Sequence, residues 1–274
     1  MTGSKTEAGI MLEMKNVSKT FNPGTVNRKT AMDHLSLTIH KGDFITVIGG
    51  NGAGKSTLMN ALTGVFRVDE GSIVLDGIDI TGMSEYKRAK YFGRVFQDPM
   101  MGTAPDMEIE ENLSLAYRRT KHHGLRWEVT KEEHAMYREA LKRLDLGLED
   151  RLSTKVGLLS GGQRQAITLL MATLVKPKML LLDEHTAALD PKTAEKVLTL
   201  TDEIVDEGQL TTLMVTHNMK DAIAHGNRLI MMHNGHVVID ISGEAKKKLT
   251  VEALLHAFSE ASGNSFASDR ALLS

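Results

Sequence analysis

The chain has 274 residues, 41% hydrophobic and 25% charged, a composition that excludes general disorder and allows a sizeable core. The absence of cysteine rules out disulfides and thiolate metal sites, and a formal charge of −2 provides no broad field for nucleic acid or anionic lipid, so no nucleic-acid partner is expected. Apolar runs such as Met179-Leu180-Leu181-Leu182 fall far short of the roughly 18 residues needed to cross a bilayer, so a cytoplasmic chain without a span is expected.

Residues 1–10 are polar, lack the apolar segment of a secretory signal and read as a flexible N-terminus. Leu12 to Val17 and Leu35 to Ile39 alternate apolar and polar residues around the turn-rich Asn22-Pro23-Gly24, which predicts a small antiparallel sheet. Phe44 to Ile48 is instead a continuous apolar run, the pattern of a parallel strand covered on both faces. It leads directly into Gly49-Gly50-Asn51-Gly52-Ala53-Gly54-Lys55-Ser56-Thr57 and then the helix-compatible Leu58 to Leu62. Strand, glycine loop, Lys-Ser and helix in that order make a phosphate-binding loop, because glycines let backbone amides curl around phosphate oxygens at a helix N-terminus. Lys55 would span the β- and γ-phosphates of a nucleotide, and the Ser56 hydroxyl would ligate magnesium. A purely structural glycine turn would not require all four features to agree.

Gly93 to Phe96 predicts a further strand ending at Gln97. Strand patterning then disappears between Asp98 and Lys155, where Thr130-Lys131-Glu132-Glu133 forms a capping box ahead of Tyr137, Ala140, Leu141 and Leu144 at helical spacing. A helical insertion over 98–155 follows, and its basic run Arg118 to Trp127 reads as a solvated loop rather than an RNA contact. Leu159-Ser160-Gly161-Gly162-Gln163 precedes Ile167, Leu170, Met171 and Leu174 at helical spacing, so Ser160 is a candidate N-cap. Taken alone, that segment fits a plain cap with a tight glycine turn as well as it fits an anion site. Met179 to Leu182 is a buried strand that ends in Asp183-Glu184. Strand alternation sends adjacent side chains to opposite sides, which makes two roles available: Asp183 beside magnesium and Glu184 as the base for an attacking water. A strand-capping acidic pair is the plain alternative. His217 follows the strand Leu213 to Thr216; alone it would read as a satisfied buried histidine, but its place downstream of an acidic strand end makes it a site candidate. Arg228 to Met232 and His236 to Ile239 flank Asn234-Gly235, a hairpin signal with surface histidines beside the turn. Val251, Leu254, Leu255 and Phe258 share one helical face, suited to docking on the core or a partner, and residues beyond Ser259 read as frayed.

The order of phosphate loop, Gln97, Leu-Ser-Gly-Gly-Gln, Asp183-Glu184, Ala188-Leu189-Asp190 and His217 resembles the ATP-binding subunit of ABC transporters, over about residues 12 to 240. The resemblance implies an α/β fold: a P-loop NTPase core with a parallel sheet and a small antiparallel β subdomain over 11–97 and 156–242, a helical insertion over 98–155, and a C-terminal helix and tail over 243–274. It implies ATP and Mg2+ as cofactors, Gln97 as a magnesium ligand that senses the transmembrane partner, and Ser160, Gly161, Gly162 and Gln163 as the signature that binds the γ-phosphate held by the opposite subunit. By the same resemblance Asp190 lies at the dimer seam, His217 contacts the γ-phosphate, and Phe21 stacks on adenine. The chain departs from the family pattern at Gly50 and His185, each in place of a usual proline, and at Phe21 in place of tyrosine. Gly50 is compatible with the turn, Phe21 preserves stacking, and His185 is expected to loosen the approach to Asp190.

The implied partners are a second ATPase subunit, with a homodimer expected, and a separate integral membrane permease contacted through the Gln97 loop and helical subdomain. An extracytoplasmic solute-binding protein would act through the permease, and the chain itself would lie peripherally at the inner face of the cell membrane. The segments Val95 to Pro99, Asp183 to Pro191 and Leu249 to Glu252 resemble importers of amino-acid type. Export, lipoprotein release and iron-sulfur cluster assembly are the alternatives, since ATPases of those systems share the motifs.

Overall fold

The computed structural model describes residues 9–119 and 129–262. Most of the basic run, Thr120 to Trp127, the first eight residues of the expected flexible N-terminus and the tail from residue 263 lie outside the described residues. The chain divides into two compact units, residues 1–88 with 209–274 and residues 89–208. The second unit contains the expected 98–155 insertion and extends beyond it on both sides.

In the first unit, β1 (Ile10–Phe21), β2 (Lys29–His40), β4 (Glu70–Leu75) and β5 (Ile78–Asp79) form an antiparallel sheet in the order β2-β1-β4-β5. Both long strands exceed the lengths expected from alternation alone. Leu12, Met14 and Val17 are all buried although the last breaks the even spacing, because Asn16 adopts φ 48° and the register with β2 shifts between Met14 and Val17. The fully buried β3 (Phe44–Ile48) lies between parallel neighbours β8 (Thr211–Val215) and β9 (Arg228–His233). The expected hairpin is present: β10 (His236–Ser242) pairs antiparallel with β9 across Asn234 and Gly235, both at positive φ. Helix α1 (Lys55–Thr63) follows the phosphate loop, the short α2 (Glu85–Arg88) follows β5, α7 (Met219–Ala224) follows β8, and the short α8 (Gly243–Lys247) and α9 (Val251–Ser262) come from the tail. Leu254 and Phe258 of α9 are fully buried with Ile48, Met219, Leu229 and Met231, so the tail's apolar face is spent on this unit's own core. His233 is only partly exposed because its ring meets Phe258 edge-on at 5.5 Å.

In the second unit, β6 (Phe92–Val95) and β7 (Met179–Asp183) are parallel, with Val95 opposite Leu182. Four helices of this unit follow: α3 (Ile109–Arg118), α4 (Lys131–Lys142), α5 (Gly161–Thr173) and α6 (Pro191–Gly208). Thr130 and Glu133 form the expected reciprocal cap of α4. The helix stops at Lys142, and Leu144, expected on its face, is buried in the turn that follows, next to Asp145 at φ 50°. Tyr137 and Leu141 of α4 pack with Ile109 and Leu113 of α3 and with Ala166, Ile167 and Leu170 of α5.

Candidate functional site: a phosphate loop, an acidic strand end and a capped signature helix

At the carboxyl end of β3 the backbone turns through Gly49 at φ 152°, Gly52 at φ 79° and Gly54 at φ 108°. A Cβ on Gly54 would stand 2.6 Å from the Ala31 carbonyl oxygen, so both conformation and space demand glycine there. Gly54 is the N-cap of α1, whose first turn carries no acidic residue, and the helix therefore presents unneutralised positive dipole at the loop. Lys55 is buried, and its ammonium donates to the carbonyls of Gly49 at 2.6 Å and Gly50 at 3.1 Å. The loop closes by the Ala53 N–H donating to the Gly50 carbonyl, and Gly235 of the hairpin turn donates to the carbonyl of Ala53. Ala53 is buried, while Asn51, Gly52 and Ser56 are exposed and Thr57 is partly so. Exposed backbone around a buried lysine can hold a phosphate chain, and Ser56 is exposed beside it.

His217 follows β8, the parallel neighbour of β3, so phosphate loop and histidine lie at the same end of one sheet. The Thr216 N–H donates to the Val47 carbonyl, and Asn218 caps α7 by accepting from Lys220 and Asp221. Burial pushes the Asp221 carboxyl up, partly offset by His225 and His217. Phe21 ends β1 opposite Lys29 of β2; its ring meets Phe66 edge-on at 5.3 Å, and the Lys19 ammonium lies 5.7 Å from its centre.

In the second unit, Gln97 follows β6 and Asp183 ends β7, which places both at the carboxyl end of the same parallel pair. Gln97 is exposed, whereas the Asp183 carboxylate accepts from Arg94 at 3.0 Å in a half-buried ion pair. Arg94 also lies 4.6 Å from the Phe96 ring centre. Nothing in the local pattern identified Arg94, because its partner is 89 positions away.

The expectation that strand alternation would separate Asp183 and Glu184 needs correction. The strand ends at Asp183, and Glu184 adopts φ 47°, a left-handed conformation that sets its direction independently of the pleat. Its carbonyl accepts from the Ala187 N–H, and Thr186 accepts from Leu189, in a tight turn. The expected loosening at His185 is also corrected. His185 is buried and its Nε2 lies 3.1 Å from the Thr201 hydroxyl of α6, so it anchors the turn from inside instead of from the backbone as proline would.

Ser160 caps α5: its hydroxyl accepts from the Gln163 N–H at 3.3 Å, and the Gln163 side chain accepts from the Ser160 N–H at 3.2 Å. Ser160 and Gly161 are exposed, and Gly162 is buried against α6, where an added Cβ would meet Thr193 Cγ2 at 2.2 Å. Gly161 faces Leu189 in the same way at 3.3 Å, so the helix start and the turn before Asp190 are mutually fitted. Asp190 stands just before α6 and accepts from the Thr193 N–H at 3.1 Å; hydrogen bonds from the Thr193 side chain and backbone hold its carboxyl below the usual carboxylate range. Arg164, which the sequence pattern did not single out, donates to the carbonyls of Val156, Gly157 and Leu159 and clamps the turn ahead of Ser160. Gln165, fully buried, donates to the Phe96 carbonyl beside Gln97 at 3.4 Å.

Residues 32–187 match the ABC transporter family. The chain is 48% identical over 252 residues to a tyrosine transport ATP-binding protein of Clostridioides difficile, covering 90% of this chain and 98% of that relative. It is 34% identical to a methionine import ATP-binding protein of Bartonella henselae over 83% of its own length, spanning 64% of that relative. A dimeric, post-hydrolysis structure of an ATP-binding cassette bound to ADP and Pi shares its fold with TM-score 0.72 and 29% identity, over 85% of this chain and 98% of that one. Among the described residues no helix is long and apolar enough to cross a membrane. Motif order, sheet architecture and near full-length similarity agree: the chain belongs to the ABC transporter family, as an ATP-binding, ATP-hydrolysing transport subunit.

Proposed function

We propose that this ATPase drives uptake of an amino-acid-like solute, aromatic amino acids first, through a separate membrane permease. The observation that carries the proposal is the 48% identity, over nearly both lengths, to a tyrosine transport ATP-binding protein. In this reading two copies bind two ATP molecules, each held by one copy's phosphate loop and the other copy's Ser160 to Gln163. Cassettes of this family form dimers, as the post-hydrolysis relative does.

Lys55 would leave the Gly49 and Gly50 carbonyls for the β- and γ-phosphates, at little cost because one set of oxygen acceptors replaces another. The backbone amides of Gly52 to Ser56 would hold the phosphate chain, with Phe21 against the base. Bound magnesium would neutralise charge developing on the phosphates. Ser56, Gln97 and Asp183 are its proposed ligands, which requires Asp183 to share its carboxylate between the ion and Arg94. Glu184 would orient the attacking water and take its proton, and His217 would contact the γ-phosphate. Asp190 would meet the second copy at the seam.

The permease would dock on the segment after Gln97, at the inner face of the membrane, and a solute-binding protein would reach the system through that permease. Support comes from the exposed apolar side chains Met100 and Met101 on the short turn Pro99–Gly102 and Leu115 on α3. The test is affinity purification from membranes of the native host, followed by uptake of labelled tyrosine, tryptophan and phenylalanine in a strain lacking this chain. Recovery of a permease and loss of uptake restored by the gene are expected. Recovery of an iron-sulfur assembly scaffold, or of an exporter with uptake unchanged, would overturn the proposal.

A further inference from the structure

We propose that Lys29 is a second cationic ligand of the bound nucleotide, reaching its α- and β-phosphates from outside the phosphate loop. The proposal rests on the reading of Gly49 to Thr57 as the nucleotide loop. Lys29 opens β2 and pairs with Phe21, the residue assigned to the base. Its side chain extends over the loop: a Cβ placed on Gly52 would lie 2.9 Å from the Lys29 Nζ. Among the described residues that ammonium has no hydrogen bond or ion pair.

The electrostatics make this placement informative. Two ammonium groups, Lys29 and Lys55, stand at the N-terminus of α1, whose dipole is itself positive there and whose first turn holds no carboxylate. Like charges gathered at a positive helix end repel one another, and an anion in the loop converts that repulsion into attraction. Lys55 approaches from the buried side, below the Gly49 and Gly50 carbonyls. Lys29 approaches from the exposed side, over the middle of the loop and next to the base residue. That position lies toward the base end of the phosphate chain, so the contact is with phosphates that ADP and ATP share. Lys29 is exposed on a strand end, and no packing depends on its ammonium.

The experiment is calorimetric titration of ADP and of ATP with magnesium into the full chain, for wild type, Lys29→Ala and Lys29→Arg, each checked for an unchanged melting temperature without nucleotide. Lys29→Ala is expected to weaken ADP and ATP alike by about tenfold, the scale of one charge-assisted hydrogen bond at an exposed rim. Lys29→Arg is expected to recover most of that affinity, and the defect should shrink as salt screens the contact. Equal affinities for Lys29→Ala and wild type would overturn the assignment, as would a defect confined to ATP, which would place the ammonium on the γ-phosphate or at a partner. Wild type that binds neither nucleotide would overturn the loop reading itself, a separate result from either.

Discussion

Replacing Glu184 by glutamine, and separately by glycine, divides the chemistry of this residue from its backbone geometry. Glu184 sits at φ 47°, where a non-glycine residue pays roughly 1 to 2 kcal/mol. Glycine removes that strain but loses about 0.5 to 1 kcal/mol to extra freedom in the unfolded chain. The two nearly cancel, so Glu184→Gly is expected within about 1 kcal/mol of wild type, and Glu184→Gln, which keeps strain and size, is expected closer still. Turnover should respond quite differently. Both variants lack a base, and general-base assistance is worth about 10² to 10⁴ in rate, or about 2.7 to 5.4 kcal/mol of barrier. Urea unfolding monitored by circular dichroism gives the stability, and phosphate release at saturating ATP gives the rate. Glu184→Gln should still bind ATP and accumulate as an ATP-bound dimer on size exclusion. Turnover within tenfold of wild type in both variants would refute the base assignment. A glycine variant several kcal/mol less stable would refute the strain argument, since it would mean that the carboxylate holds the turn.

Arg88 is 2% exposed, and its guanidinium donates to the carbonyls of Ala61 and Leu62 at the end of α1 and of Thr81 and Met83, while the Asp79 carboxylate acts on it electrostatically. Arg88→Met should cost about 3 to 5 kcal/mol in urea unfolding by leaving those carbonyls unpaired and the helix end uncapped; a loss below about 1 kcal/mol would contradict this role. Among the described residues the buried Tyr137 hydroxyl makes no hydrogen bond of good geometry, Ser114 being its polar neighbour, so Tyr137→Phe should change stability by less than about 1 kcal/mol and can raise it. Burial pushes the Tyr137 phenol up to about 12, more than neighbouring Ser114 lowers it. The folded state therefore keeps this proton after the unfolded chain begins to lose it near 10, and wild-type stability should fall as pH rises from about 10 toward 12. Tyr137→Phe should flatten that decline, and an unchanged slope would place its origin in other groups.

The local elements were readable because their causes are local. A capping box needs two residues three apart, so Thr130 with Glu133 marks the start of α4 in the sequence, and the N-cap candidate Ser160 marks that of α5, where the structure adds the reciprocal bond from Gln163. The glycine loop between a buried strand and α1 was legible for the same reason: positive φ and the helix start are properties of consecutive residues. Boundaries were less so. β1 and β2 ran past the alternating stretches because pairing between strands, not hydrophobicity, sustains their outer ends around Phe21 and Lys29.

The sequence by itself determined the class of fold, the phosphate loop and the order of motifs that places the chain among ABC ATPases. Only the tertiary structure decided what the charged groups touch. It paired Asp183 with Arg94, capped α1 with Arg88, buried His185 against Thr201, turned Glu184 out of the strand pleat and brought Lys29 over Gly52. Each of these contacts joins residues distant along the chain or depends on a turn whose geometry is set by its surroundings. Periodicity and capping carry no information about such contacts, because they arise from where whole strands and helices come to rest.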